Sequence, residues 1–156
     1  MIDDSDVWPV PPYGADWDKW AEWAEAMPVS RRTGVSCTKI ESGRVTLVVE
    51  ESVWPLNPTG GVHGGLVVAL ADHCFGIVAL TVLDQGHMPA TATLTADFLR
   101  PALPPLTFEA SIDRLGRTMA FVTVDVINRT GKLATKVNGT MVIDGSSRFV
   151  PVSGGS

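Results

Sequence analysis

One stretch limits the architectures open to this chain more than any other. From Leu66 to Leu83, 18 residues within and just after "NPTGGVHGGLVVALADHCFG" run almost wholly apolar, with Asp72-His73 at the centre. The length would suit a membrane span. An Asp at mid-span, however, costs roughly 2.5 to 3.5 kcal/mol on insertion scales, so no span is expected. The run reads instead as one long helix that other elements must cover on most sides.

Those other elements read as strands. "TGVSCTKI" and "RVTLVVEE" flank Glu41-Ser42-Gly43, a hairpin-like turn. After the apolar run come "ATATLTADFL", "LTFEASIDRL", "TMAFVTVDVI" and "LATKVNGTMVI", separated by "RPALPP", "GR" and "NRTGK". In the first of these, Ala92, Leu94, Ala96 and Phe98 alternate with Thr91, Thr93, Thr95 and Asp97, giving one apolar and one polar face. An α+β fold is expected, with an antiparallel sheet of about six strands wrapped around one long central helix, because that arrangement buries both elements best.

At 156 residues the chain suits one globular domain with a substantial core. We expect an N-terminal extension over 1–32, the main domain over 33–144 and a flexible C-terminal tail over 145–156. In the extension, "WPVPPYG" is a Pro-rich lead. "ADWDKWAEWAEAMP" then has helical spacing, with Trp17, Trp20, Ala21 and Ala24 on one stripe that should pack on the domain, a lid over a ligand being the alternative. Pro28 is expected to end that helix.

The formal net charge of -5 argues against nucleic acid or an anionic membrane as the main partner, a local basic pocket remaining open. Two widely spaced cysteines, Cys37 and Cys74, with Cys74 in the apolar run, fit unpaired thiols in a reducing compartment. The acidic start "MIDDSDVWPVPP" lacks the features of a secretory signal, so a cytoplasmic location is expected.

The chemistry concentrates around the apolar run. Gly60, Gly61, Gly64 and Gly65 surround His63, and a glycine-dense turn before a helix lets the backbone come close to a ligand. The N–H of Gly64 or Gly65, at the positive end of the helix, would suit an oxyanion. At about 100° per residue, Asp72 falls on the face of Gly65, Ala69, Gly76 and Ala79, a small-residue stripe that a second subunit could approach. Among neighbours such as Leu70, Ala71, Cys74 and Phe75, an unpaired carboxylate would be costly, so a function or a firm partner is expected. His73 reads as a core or interface residue, and for His63 a bracing and a functional role are equally open. Nothing lowers the pKa of Cys74 in an apolar helix, so it is not expected to be a nucleophile. G-x-S-x-G, P-loop, G-x-G-x-x-G and clustered metal-ligand patterns are all missing from the sequence.

The stretch Asn57 to Gly76, followed by "ADFLRPA" and "LGRTMAFVTVDV", resembles the hotdog-fold acyl-CoA thioesterases of the phenylacetic-acid-degradation type, the group of thioesterase superfamily member 2. The likeness covers roughly residues 34–144. It implies a hotdog fold, a curved antiparallel sheet around one helix, whose dimers join sheets edge to edge with active sites at the interface. It implies Asp72 as the catalytic carboxylate, either general base or nucleophile, with the Gly64 N–H as oxyanion donor. His63 would shape the turn, Asn57 would orient water or the thioester, and Thr91 would occupy the water-holding strand position. Asp72 would meet the turn from the other subunit. Gly65, Arg117 and Thr118 are the implied substrate contacts, the latter two near CoA in "RLGRT", where an ordinary hairpin turn is the alternative. The implied reaction hydrolyses an acyl-CoA to a free acid and CoA, with no metal and no cofactor, in a homodimer or dimer of dimers. A non-catalytic acyl-CoA binding module and a hotdog hydratase are the rivals; Asp72 speaks against the first, and the missing Asp–His pairing against the second.

Overall fold

The computed structural model describes residues 8–145. The expected C-terminal tail therefore lies almost wholly outside the described residues. The elements, in chain order, are α1 (Trp17–Ala26), α2 (Pro28–Thr33), β1 (Val35–Glu41), β2 (Arg44–Val49), α3 (Gly64–Leu80), β3 (Met88–Phe98), β4 (Leu106–Leu115), β5 (Met119–Ile127) and β6 (Leu133–Asp144).

All six strands form one antiparallel sheet in the order β1-β2-β4-β5-β6-β3. The hairpins follow local turn chemistry. Between β1 and β2, Gly43 takes a left-handed φ of 78°, which costs glycine nothing. The chain leaves β2, runs through α3 and returns as β3 at the far edge beside β6, so α3 lies across the sheet and packs on β2, β3, β4 and β5. Alternation sets the inner face: Ala120, Val122, Val124 and Val126 of β5 are all buried while their neighbours are not.

The helix approaches the sheet closely at one point. A Cβ at Gly139 of β6 would overlap the ring of Phe75 and stand 2.6 Å from the Thr93 carbonyl oxygen. Phe75, fully buried, occupies the volume that a side chain there would need.

At the N-terminus the structure departs from the expected pattern. Trp20, Trp23 and Ala24 are buried, whereas Trp17 and Ala21 are only partly so. Trp23, not on the expected stripe, is fixed by its indole N–H, which donates to the Pro9 carbonyl at 2.9 Å. Pro28 ends α1, and it also opens α2, for which its fixed φ and missing N–H suit the first helical turn. Thr33, expected in the first strand, closes that helix. Six residues are too few to display a helical period.

Of the surfaces left uncovered in the single chain, two lie on α3 and β3. On α3, Gly65, Ala69 and Asp72 are exposed and Gly76 half-buried, while Ala79, expected on the same stripe, is buried. Asp72 is thus not enclosed by its apolar sequence neighbours. Leu70, Ala71, Cys74 and Phe75 point into the core, and the carboxylate points away from it. The second surface is β3, whose outer edge has no partner strand. Its apolar face is only partly covered, with Leu94 and Ala96 half-buried and Phe98 56% exposed.

Candidate active site

The glycine turn is held from within. The Asn57 side-chain oxygen accepts from the Thr59 N–H at 3.0 Å, the Thr59 hydroxyl at 2.6 Å and the Gly61 N–H at 3.0 Å. That leaves only the Asn57 amide nitrogen to meet a ligand. His63 is the N-cap of α3, its Nδ1 accepting from the Gly65 N–H at 3.1 Å. The His63 carbonyl takes the N–H groups of Leu66 and Val67. The expected choice between Gly64 and Gly65 is therefore narrowed: the Gly65 amide is occupied, and the Gly64 N–H finds no acceptor among the described residues. The half-exposed ring of Trp54 packs edge-on against His63 at 5.8 Å, a neighbour with no signal in the sequence. The Phe98 ring lies over Gly64, 3.2 Å from where a Cβ would stand.

Asp72 has a different set of neighbours. The Thr91 hydroxyl donates to its Oδ1 at 2.6 Å. This bond fixes the rotation of the carboxylate and leaves Oδ2 without a partner among the described residues. Asp72 also stands on the lining of an apolar cavity of about 330 Å³ between the N-terminal segment, α3 and the start of β3.

His73 faces away from the glycine turn. Its Nε2 lies 2.7 Å from Ser30 Oγ, and that hydroxyl spends its single proton on the Ala24 carbonyl at 2.6 Å. Nε2 must then be the donor, which sets the tautomer. Burial holds the imidazole pKa down, to about 4, against the opposing pull of Asp72. Burial likewise pushes the Cys74 thiol up, so it is not an available nucleophile.

The structure brings Thr91 to Asp72, and His63, Gly64, Gly65 and Asn57 to one another. It does not bring the two groups together. Asn57 and Gly64 line a separate cleft with Phe98, and from Gly64 to Asp72 the helix advances about 12 Å at 1.5 Å per residue. One thioester carbonyl cannot touch both within one chain. Arg117 and Thr118 are exposed in the β4–β5 turn, where the Thr118 carbonyl accepts from the Ile143 N–H, and neither touches Asp72. Among the described residues no three His, Cys, Asp or Glu side chains are grouped so as to hold a metal ion.

A model of the thioesterase superfamily matches residues 59–135. A candidate esterase of Saccharolobus solfataricus is 30% identical over 110 residues, 70% of this chain and 78% of the relative. Mouse acyl-coenzyme A thioesterase 13 is 32% identical over 80 residues, 49% of this chain and 56% of the relative. The PaaI protein of the E. coli phenylacetic acid degradation operon has the same fold, with a TM-score of 0.70 at 22% identity over 81% of this chain and 91% of its own. A hypothetical thioesterase protein of Streptococcus pneumoniae, solved with coenzyme A, gives a TM-score of 0.65 at 25% identity over 73% and 88%. With the hotdog sheet and helix in place and the match running through both the glycine turn and Asp72, this chain belongs to the thioesterase superfamily, the hotdog-fold hydrolases of thioester bonds.

Proposed function

We propose that the protein hydrolyses an acyl-CoA to a free carboxylic acid and CoA, with Asp72 as the catalytic carboxylate and the Gly64 N–H of a second subunit as the oxyanion donor. The observation that carries this reading is the Asp72 carboxylate itself, one oxygen held by Thr91 and the other open, on the lining of an apolar cavity. The coenzyme A bound to the S. pneumoniae thioesterase supports CoA as the leaving group.

The free Oδ2 can take a proton from water as the oxygen adds to the thioester carbon, or attack that carbon itself. In either case charge gathers on the carbonyl oxygen, where an unoccupied N–H at a helix start stabilises it. Collapse of the adduct expels the CoA thiolate, which takes up a proton. Where Asp72 attacked directly, the acyl group is left on it as an anhydride, and water then cleaves that bond to release the free acid and restore the carboxylate. The Asn57 amide nitrogen would hold the water or the thioester, and Gly65 shapes the turn. At the β4–β5 turn, Arg117 and Thr118 are the groups placed to meet the CoA moiety.

The test is Asp72→Asn. Asn is nearly isosteric, keeps an acceptor for Thr91 and occupies an exposed position, so the melting curve should be unchanged. Single-turnover release of CoA thiol from octanoyl-CoA should fall by about 10² to 10⁴, the usual contribution of a positioned general base. A folded variant within a few-fold of wild type makes Asp72 a structural residue. Tight octanoyl-CoA binding by wild type with no thiol release would instead support a non-catalytic acyl-CoA binding module.

A further inference from the structure

The cavity beside Asp72 owes its shape to a part of the chain that neither the sheet nor the glycine turn supplies. Ala69 and Gly76 form its floor on α3, where absent side-chain bulk leaves the space open. Trp8, Trp23, Met27 and Val29 of the N-terminal segment form a wall. That wall is anchored at several points. The Trp23 indole donates to the Pro9 carbonyl and the Trp20 indole to the Gly14 carbonyl at 3.0 Å. Trp17 stacks on Trp20 at 5.7 Å, and Trp20 meets Trp23 edge-on at 5.3 Å. The His73–Ser30 bond ties α2 directly to α3, one residue from the carboxylate. Trp23 and Met27 belong to the same buried cluster as the sheet. A wall so held bounds the cavity on that side.

We propose, resting on the acyl-CoA thioesterase reading above, that this N-terminal wall gauges the acyl group: the cavity takes an uncharged, apolar acyl chain of medium length, and Trp23, Met27 and Val29 set the length at which longer chains are refused. A cavity of about 330 Å³ sits at the lower end of the ~300 to 1,000 Å³ range of ligand pockets. It holds roughly ten groups the size of a water molecule at about 30 Å³ each. An octanoyl chain matches a volume of that order, and a palmitoyl chain would extend beyond the wall. Charge is refused for a separate reason. The wall residues are apolar, and the one carboxylate on the lining, Asp72, repels another. A dicarboxylic acyl group would bury an unpaired charge beside it.

The test measures kcat/KM for butanoyl-, octanoyl-, palmitoyl- and glutaryl-CoA. Wild type should favour octanoyl over palmitoyl and over glutaryl by tenfold or more, since each methylene that fits or fails to fit is worth about 10- to 200-fold. Met27→Ala lengthens the cavity and should raise the palmitoyl-to-octanoyl ratio roughly tenfold. Val29→Trp, at a half-buried position on the same wall, should lower the octanoyl-to-butanoyl ratio by a similar factor. If one variant fails to fold by melting curve, the other decides. Ratios that stay fixed in a folded variant that still hydrolyses octanoyl-CoA overturn the gauge and leave the thioesterase reading standing, as does wild-type preference for palmitoyl- or glutaryl-CoA. No hydrolysis of any of the four by wild type overturns the thioesterase reading and the gauge with it.

Discussion

His73 and Asp72 are adjacent in sequence yet turned about 100° apart on one helix, and their surroundings divide their chemistry. Asp72 opens outward with one free oxygen, while His73 is spent on Ser30 and joins α2 to α3. The cost of that second placement depends on pH. Burial lowers the His73 pKa from its ordinary 6.5 to about 4, so the folded state binds a proton less readily than the unfolded chain. Stability from the neutral imidazole is complete above pH 6.5 and is lost as pH falls from there through 4. The full shift corresponds to about 3 kcal/mol. Denaturant titrations across that window should show wild type losing stability as acid is added, and His73→Gln lacking that part of the loss. Coincident slopes would mean that the folded protein accepts the proton without disturbing the α2–α3 contact.

At the scale of elements, the helix and sheet fit through one missing side chain. Gly139→Ala would push a methyl group into the Phe75 ring and the Thr93 carbonyl, at a point where neither the ring nor the paired strand has free volume. Overpacking of this kind costs about 1 to 3 kcal/mol. In a chain of this size that lowers Tm by roughly 2 to 4 °C per kcal/mol. An unchanged Tm in a thermal melt would show that Phe75 can repack. This contact was invisible in the sequence, because it joins residues far apart in the chain. The elements themselves were largely legible. Leu106–Leu115 stands as a strand between the turns that bracket its alternating pattern, and the apolar run from Leu66 marks α3. Helical phase also put Asp72 with Gly65 and Ala69 on one face. It also left that face for a second subunit, but it could not tell that Asp72 stands clear of Leu70, Ala71, Cys74 and Phe75, since neighbours along the sequence are not neighbours across a helix. The cavity was less legible still: Trp23 and Asp72 line one space only because the N-terminal segment folds back over α3.

At the scale of the whole molecule, the two halves of the proposed site lie too far apart to act within one chain, and the free edge of the sheet offers a way to join them. On β3, Thr91 touches Asp72 and Phe98 touches Gly64. If β3 pairs antiparallel with its own copy about a two-fold axis near Leu94-Thr95, Thr91 of one protomer stands opposite the partner's Phe98. The Asp72 end of each helix then faces the Gly64 end of the other. Such pairing also covers an unpaired edge of 11 residues, long enough to be an aggregation hazard if left bare. The arrangement makes a prediction that a site within one chain does not. Gly64→Pro removes the proposed oxyanion N–H with little harm to the helix, because proline suits the first helical position and His63 before it is already extended at ψ 132°. The Phe98 ring, mostly exposed, can move to admit the proline. Alone, Gly64→Pro and Asp72→Asn should each be folded, dimeric and nearly inactive. Unfolded together and refolded as a mixture, they should regain activity, because each mixed dimer holds one site with both groups intact and one with neither. Random mixing makes half the dimers mixed, so about a quarter of the wild-type sites should return. If differently tagged subunits co-purify and no activity returns, Asp72 and the glycine turn do not share a site across the interface. Should Gly64→Pro alone keep near wild-type turnover, that N–H is not the oxyanion donor.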